Sequence, residues 1–247
     1  MNETVLVTGD AGAIGSATAD LFLQAGRTVL GLDLVERSST GSDRYHTVVA
    51  DVGDESAVEE ALEILEELPP LGHVVAIAGG ALPGEPRSKD QPWSIETDSF
   101  RASVERNLIS QFITMKTAYP WLKNDSADRS LTFTSSFNAL SAQGMPAYSA
   151  AKAGLIGMMH GLVGPLGAEG IRVNTVAPGT IRTPRTERIW GHVPEHFERL
   201  TATTALGRLG EPLDVARAYR ALALDLRHVT GEVLVVDGGQ LSRSTPL

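Results

Sequence analysis

The sequence predicts a single-domain α/β fold, built on a doubly wound sheet of seven parallel strands with helices on both faces. Three observations predict it. Short apolar runs rich in β-branched residues alternate with helical patterns along the whole chain of 247 residues, a rhythm typical of βαβ units. A glycine-rich turn follows the first run. No fixed-period repeat and no linker-like stretch divides the chain, so residues 1–247 are expected to form one domain.

The first strand–helix–strand unit shows each signal in turn. The run TVLVTG, residues 4–9, is short, apolar and ends in glycine, as buried parallel strands do. Apolar residues then recur at helical spacing over residues 10–26, until a glycine ends the pattern. Residues 27–34 form the second apolar run. The pattern predicts two adjacent parallel strands joined by a helix.

The same alternation continues to the end of the chain. The further predicted elements are strand 45–52, helix 56–68, strand 73–80, helix 98–122, strand 130–136, helix 146–170, strand 171–179, helix 211–224 and strand 231–239. In such sheets ligands bind beyond the carboxyl ends of the strands. We therefore look for functional residues in the segments that follow the strands.

Composition excludes several classes of partner and site. The chain has no cysteine, which rules out disulfides and thiolate metal sites and fits a reducing compartment. A formal net charge of -9 disfavours nucleic acid. No apolar run approaches the ~20 residues of a membrane span, and the first residues lack the pattern of a signal peptide. We expect a cytoplasmic location and no membrane or nucleic-acid partner.

The turn TGDAGAIG, from Thr8 to Gly15, favours a dinucleotide site. Its glycines let the backbone turn tightly and let a pyrophosphate approach the N-terminus of the next helix. Asp33 stands at the end of the second strand, where a carboxylate accepts the ribose hydroxyls of adenosine and repels a 2′-phosphate. The sequence therefore predicts NAD rather than NADP, although Arg27 and Arg37 lie near enough in sequence to soften that preference.

The stretch YSAAK places Tyr148 and Lys152 four residues apart, on one face of a predicted helix. Such pairs are common on solvated helix faces, where they contribute only a few tenths of a kcal/mol. A second pattern, HVPEH from His192 to His196, spells a zinc-binding arrangement, but Pro194 interrupts the helix that it needs. No metal site is expected.

Together these motifs resemble the short-chain dehydrogenase/reductase family, over essentially the whole chain, with a Rossmann-like fold. TGDAGAIG is similar to the family's TGxxxGxG, with Ala13 in place of the middle glycine; ADVGD, AIAGG and RVNTVAPGTIRTP match later family motifs, although AIAGG lacks both usual asparagines. The cofactor-binding residues that the resemblance implies are Gly9, Gly12, Ala13, Ile14, Gly15, Asp33, Asp51, Val52, Ala78, Gly79, Tyr148, Lys152, Pro178, Gly179, Ile181 and Thr183.

The resemblance also implies four catalytic residues. Tyr148 would act as general acid or base, with its pKa lowered by Lys152 and by oxidised nicotinamide. Asn107 would hold a water beside the lysine. Ser136 would hold the substrate oxygen, because a loop absorbs a deletion more easily than a strand absorbs a register shift. Family spacing favours Ser135 instead, and both serines stay open.

The implied activity is hydride transfer between NAD(H) and a secondary alcohol or ketone. Two alternatives remain: an NADPH-dependent 3-oxoacyl-carrier-protein type reductase, which Asp33 opposes, and a non-catalytic nucleotide-binding regulator, which has no need of the catalytic set. Residues 184–204 are expected to form a substrate lid, or else a helical excursion that packs on the core or on another subunit. The family resemblance implies a homotetramer.

Overall fold

The computed structural model describes residues 3–38, 41–82, 85, 91–124, 128–141, 145–190 and 194–242. Seven parallel strands form one sheet in the order β3-β2-β1-β4-β5-β6-β7. The strands are β1 Thr4–Thr8, β2 Thr28–Asp33, β3 Tyr45–Val49, β4 Leu71–Ala76, β5 Arg129–Thr134, β6 Ile171–Pro178 and β7 Val233–Val236. The predicted fold class, a single Rossmann-like domain, is confirmed.

Eight α-helices lie in the described segments. They are α1 Ala13–Gln24, α2 Glu55–Leu62, α3 Thr97–Val104, α4 Ser110–Leu122, α5 Pro146–Ala168, α6 Pro184–Trp190, α7 Pro194–Ala202 and α8 Pro212–Arg220. None of these described helices combines the length and apolarity that a membrane crossing requires.

Alternating strand residues build two cores, one on each face of the sheet. Leu6 and Leu30 pack with buried residues of α2, α4 and α5. Val5 and Val29, one position earlier on the same strands, pack on the other face with α1 and α8. Burying each of these side chains contributes roughly 1.5–3 kcal/mol. The strands are therefore apolar on both faces, which is why they read as continuous runs in the sequence.

The strand order reverses between β1 and β4, and a crevice lies at their carboxyl ends. The backbone at Gly9 has φ of +73°, and a Cβ there would lie 2.9 Å from the nitrogen of Ala78. Gly9 is therefore required both by its conformation and by the close approach of the segment after β4. This contact joins two motifs that stand 69 residues apart.

The helix predicted over residues 98–122 is not continuous. A π-helical turn, Glu105–Ile109, separates α3 from α4, and a second one, Ala221–Asp225, ends the helix that begins with α8. The predicted helix 56–68 changes to a 3₁₀-helix at Glu63. A π turn adds one residue without breaking the apolar pattern, so periodicity does not reveal it. Such turns are frequent at functional sites, and the first of them carries Asn107.

Candidate active site

The glycine-rich turn leaves the N-terminus of α1 open. Gly12 is the N-cap residue and supplies no side-chain hydrogen bond, so backbone N–H groups of the first turn have no side-chain cap. A Cβ at Gly15 would collide with the carbonyl oxygen of Gly9. Ala13 and Ile14 begin the helix itself, so the missing middle glycine leaves the turn intact. This arrangement fits a pyrophosphate, which such N-termini bind through backbone N–H groups and the helix dipole.

Asp33 ends β2 beside this turn, and its Oδ2 accepts a hydrogen bond from the N–H of Ala11 at 3.1 Å. Asp10, within the turn, is fully buried, and Tyr45 donates its hydroxyl to the Asp10 carboxylate at 2.5 Å. Burial raises the pKa of Asp10, the bond from Tyr45 lowers it, and the charge of Asp33 raises it further. The carboxyl groups of Asp33 and Asp10 therefore lie close together at the end of β2.

Arg37 and Arg27, the basic residues nearest to Asp33 in sequence, are both engaged. Arg37 donates to Asp20 at 2.6 Å and its guanidinium stacks on Tyr45, 5.2 Å from the ring centroid. Arg27 donates to Glu3 at 2.9 Å.

The segments after β3 and β4 place four more of the expected residues. Asp51 accepts a hydrogen bond from the N–H of Gly53 at 2.8 Å, and Val52 packs against the core. Thr8 accepts a hydrogen bond from the N–H of Ala78 at 3.3 Å, which fixes the end of β4 to the end of β1. Gly79 has φ of +142°, and a Cβ there would lie 3.6 Å from Nζ of Lys152. The same Cβ would lie 2.9 Å from Oδ1 of Asn107, so glycine is favoured here by its conformation and by the close approach of the asparagine.

The segment after β6 holds the last four expected residues. Gly179 donates its N–H to the carbonyl of Val236 at 2.9 Å, just beyond Pro178 at the end of β6. Ile181 is buried and forms a bridge with Gly210. The hydroxyl of Thr183 accepts a hydrogen bond from the N–H of Thr186 at 3.2 Å, so Thr183 caps α6.

The two candidate serines at the end of β5 point in opposite directions. Ser135 donates its hydroxyl to the carbonyl of Lys152 at 2.7 Å, within the packing between β5 and α5. The Ser136 hydroxyl lowers the pKa of Tyr148, which places it near the phenol, and it accepts the N–H of Asn138 at 3.2 Å. Successive strand residues face opposite ways, so only one of the two hydroxyls meets the phenol. In this structure it belongs to Ser136.

Lys152 is buried, with 2% of its surface exposed, and its Nζ donates to the carbonyl of Thr134 at 2.7 Å. The same carbonyl accepts the side-chain amide of Gln111 at 3.1 Å. Burial lowers the pKa of Lys152 to about 7. The lysine therefore titrates near neutral pH, and its Nζ lies 5.8 Å from the centroid of the Tyr148 ring.

The pKa of Tyr148 shifts upward, opposite to the direction expected from the sequence. Burial raises it most; the hydrogen bond from Ser136 and the charge of Arg185 lower it, and the charge of Glu85 raises it. Lys152 is not among these influences. In the protein without cofactor, burial outweighs the positive charge near the phenol. The lowering expected from Lys152 together with oxidised nicotinamide concerns the complex with cofactor and stays a prediction.

Asn107 lies in the first π turn and is fully buried. Its Oδ1 accepts the N–H of Gly80 at 2.7 Å, and its Nδ2 donates to the carbonyls of Ser103 at 2.9 Å and Gly80 at 3.3 Å. These bonds tie the amide to the segment after β4, and the expected role of Asn107 in holding a water beside the lysine stays a prediction. A Cβ at Gly154 would lie 2.8 Å from Cδ2 of Leu108, so α5 packs closely on this turn.

Two further charged residues near Tyr148 did not emerge from the sequence. Glu85 accepts the backbone N–H of Tyr148 at 2.7 Å. Arg185, on α6, donates to the carbonyl of Ala81 and contacts Gly80. Both side chains come from segments without regular periodicity, and only the fold brings them to the phenol. The glycine pair 79–80 was the one available signal, because a backbone without side chains admits close neighbours.

The HVPEH pattern lies partly outside the described residues. His192 lies outside the described residues, and nothing is described of the Pro194 side chain. Across the described ranges, no three side chains of histidine, aspartate or glutamate come together in a way that could hold a metal ion.

Comparison with known proteins identifies the family. Residues 9–240 match the family model described as enoyl-(acyl carrier protein) reductase. The chain is 35% identical to an uncharacterized oxidoreductase of Schizosaccharomyces pombe, over 97% of this chain and 91% of that protein. It superposes with a TM-score of 0.87 and 33% identity on an oxidoreductase of the short-chain dehydrogenase/reductase family from Burkholderia thailandensis, covering 99% of this chain and 94% of that one.

The chain belongs to the short-chain dehydrogenase/reductase family. Another relative in that family is a 3-oxoacyl-[acyl-carrier-protein] reductase of Thermotoga maritima, 31% identical over 96% of this chain and 97% of that protein. Short-chain dehydrogenases/reductases are oxidoreductases that bind a nicotinamide cofactor. The open N-terminus of α1 and the Tyr148 cluster lie at the same edge of the sheet, as such an enzyme requires.

Proposed function

We propose that this protein is an NAD-dependent short-chain alcohol dehydrogenase or carbonyl reductase, which transfers a hydride between NAD(H) and a secondary alcohol or ketone. The observation that carries the proposal is the cluster of the Ser136 hydroxyl, the Tyr148 phenol and the buried Lys152 side chain: Ser136 lowers the pKa of Tyr148, and Nζ of Lys152 lies 5.8 Å from the centroid of the Tyr148 ring. Two neighbouring hydroxyls provide a site for a substrate oxygen and for its proton. A non-catalytic regulator has no need of that arrangement.

In the proposed mechanism Tyr148 exchanges the substrate's hydroxyl proton. It is the general base in alcohol oxidation and the general acid in ketone reduction. Ser136 holds the substrate oxygen and, through its hydrogen bond, offsets part of the rise in the pKa of Tyr148. Lys152 passes protons beside the phenol, since its own pKa of about 7 lets it gain and lose them near neutral pH. The nicotinamide cofactor, when bound, supplies or accepts the hydride.

Asn107 enters the proposal as a positioning residue. Its side-chain amide fixes Gly80 and, through the chain, Gly79, whose backbone passes beside Nζ of Lys152. These contacts hold the shape of the backbone beside Lys152. The role expected from the family resemblance, which is to help hold a water in a proton relay from Lys152, stays part of the proposal.

The preference for NAD over NADP rests on charge. Asp33 places a carboxylate at the end of β2, where a 2′-phosphate would meet it, and the buried carboxyl group of Asp10 lies beside it. Arg37 and Arg27, which the sequence left as possible phosphate ligands, are bound to Asp20 and Glu3. These contacts oppose the alternative of an NADPH-dependent 3-oxoacyl reductase, which the Thermotoga relative otherwise favours.

Titration of NADH and NADPH against the purified protein, followed by tryptophan fluorescence quenching, tests the cofactor. We expect NADH to bind at least tenfold more tightly. Tighter binding of NADPH would overturn the NAD assignment and favour the reductase alternative. A panel of secondary alcohols followed by NADH absorbance then tests the reaction, and a panel without any turnover would count against an alcohol dehydrogenase.

We further propose that the protein is a homotetramer in the cytoplasm, with residues 184–204 as the substrate lid. On α5, Gly157, Gly161 and Gly164 are exposed with open space around their Cα atoms, and Phe112 of α4 is 41% exposed. A flat glycine face beside an exposed aromatic ring suits close packing against a second copy. Light scattering tests this, and a monomeric mass would contradict it. In the lid, α6 and α7 are described, and residues 191–193 lie outside the described residues.

A further inference from the structure

Three arginines lie around residues 79–81, the segment that follows β4. Arg185 and Arg188 lie three residues apart on α6, and Arg106 precedes Asn107 in the first π turn. All three are exposed. Within the described part of the chain, no carboxylate forms an ion pair with any of them. A protein with a formal net charge of -9 thus holds three positive charges near one another, and Arg185 is the member of this group that acts on Tyr148.

Arg185 is the member closest to the reacting groups. Its guanidinium donates to the carbonyl of Ala81, and a Cβ on Gly80 would lie 2.6 Å from Nη1 of Arg185. Gly80 is in turn held by Asn107, and Gly79 contacts the Lys152 ammonium region. The Arg185 guanidinium therefore contacts Gly80 and Ala81, which directly follow Gly79.

The charges of this cluster act on one another and on the phenol. Burial lowers the pKa of Arg185 most, Arg106 and Arg188 lower it further, and Tyr148 raises it. Arg185 in turn lowers the pKa of Tyr148. The repulsion between like charges held close together is relieved when an anion binds near them. The negative charge of Glu85, in the loop after β4, raises the pKa of Tyr148, and its carboxylate accepts the backbone N–H of Tyr148.

We propose that the substrate is a hydroxy acid or oxo acid, whose carboxylate pairs with Arg185 while its alcohol or carbonyl oxygen meets Ser136 and Tyr148. This inference rests on the proposed dehydrogenase function and names its substrate class. Arg106 and Arg188 raise the local positive potential and attract the anion. A guanidinium suits a carboxylate because its N–H donors form a planar fork that matches two oxygens.

The cofactor's pyrophosphate is a second source of the same anionic chemistry. Its expected place is the open N-terminus of α1, where Gly12 leaves backbone N–H groups without a side-chain cap. Arg185 instead lies past Gly79, on the side of Tyr148. The position therefore favours the substrate as the anion's source, and the experiment separates the two.

The test compares acidic substrates with uncharged analogues. Lactate, 3-hydroxybutyrate, malate and gluconate are each assayed with saturating NAD beside their methyl esters, for wild type, Arg185→Gln and Arg182→Gln. Arg182 is the matched control, because it lies two residues before α6, pairs with Glu187 at 4.0 Å and stacks on Phe197. The affinity of each variant for NAD is measured in parallel by fluorescence.

We expect the wild type to favour at least one acid over its ester in kcat/KM by tenfold or more. Arg185→Gln should reduce that acid-to-ester ratio at least tenfold, mainly through the KM for the acid, with NAD affinity within twofold of wild type; Arg182→Gln should keep the ratio. Loss of NAD affinity with an unchanged ratio would assign Arg185 to the cofactor and overturn the inference. Turnover of esters or other uncharged alcohols alone would also overturn it, with the dehydrogenase function intact. Absence of turnover with every compound would count against both.

Discussion

The backbone N–H of Tyr148 donates to the carboxylate of Glu85 at 2.7 Å, across 63 residues of sequence. Tyr148 lies in the first turn of α5, where N–H groups lack intrahelical partners. Met145, the N-cap residue, adopts a left-handed conformation and makes no side-chain cap. A side chain from the loop after β4 therefore caps the helix that carries the proposed catalytic pair, Tyr148 and Lys152, and its charge raises the pKa of the phenol.

Replacing Glu85 by glutamine should shift the pH dependence of turnover to lower pH. Glutamine keeps an acceptor for the N–H but removes the negative charge, which raises the pKa of Tyr148. A base with a lower pKa stays active at lower pH, so we expect the acidic limb of the kcat/KM profile for alcohol oxidation to move by a few tenths of a pH unit to about one unit. Glu96→Gln, at an exposed N-cap without a side-chain cap, is the matched control. An unmoved limb would show that the Glu85 charge does not reach the reacting phenol.

Alanine substitutions at the two serines should have different effects. Ser136→Ala removes the hydroxyl that bonds Tyr148, so we expect turnover to fall by about 10²-fold or more and the acidic limb of the profile to move to higher pH. Ser135→Ala removes a buried hydrogen bond to the carbonyl of Lys152, so its main effect should be a loss of about 1 kcal/mol in the free energy of unfolding. Steady-state assays and urea denaturation separate the two effects. The reverse pattern would assign the catalytic role to Ser135.

Lys152 should make the cofactor-free protein more stable as the pH rises. Burial lowers its pKa from 10.5 to about 7, so between these values the unfolded chain binds more protons than the folded one. Stability then increases from pH 7 toward pH 10 and is lowest, for this group, below pH 7. At pH 6, Lys152→Met should have a free energy of unfolding higher than that of the wild type by a few kcal/mol, measured by urea denaturation, since each pKa unit corresponds to about 1.4 kcal/mol. This difference should close by pH 10. Lys123→Met is the control at an exposed lysine. A gap that stays constant from pH 6 to pH 10 would contradict the shift.

Replacing Asp33 by serine should weaken NADH binding and reduce the preference for NADH over NADPH. The carboxylate accepts the N–H of Ala11 and carries the charge that would repel a 2′-phosphate. We expect a loss of about tenfold in affinity for NADH and little loss for NADPH, measured by fluorescence titration. Asp51→Ser is the control. It removes a different carboxylate of the expected cofactor site, one that accepts the N–H of Gly53 within its own turn. Equal losses for both coenzymes would show that Asp33 supports the turn rather than the choice of cofactor.

The fold was predictable because its signals are local and repeat. The inner strands are buried on both faces and read as apolar runs, and glycines mark the turns, as Gly9 does at the end of β1. The π turn at Asn107 was not predictable, since one inserted residue leaves the apolar periodicity nearly unchanged.

The site was predictable only where its residues lie in family motifs. Tyr148 and Lys152 stand in one helix, and their spacing alone pairs them. Glu85 and Arg185 come from loops and a short helix far apart in sequence, so only the folded chain shows that both reach the phenol. The pKa of Lys152 likewise depends on complete burial, which spacing does not show.

The proposed acid–base role of Tyr148 is tested most directly by single-turnover formation of NADH with Tyr148→Phe, using the best substrate of the panel. Phenylalanine keeps the ring and removes the hydroxyl that bonds Ser136. We predict that NADH formation falls at least 10³-fold while the affinity for NAD, measured by fluorescence, changes less than threefold. NADH formation by the variant within tenfold of wild type would contradict the account.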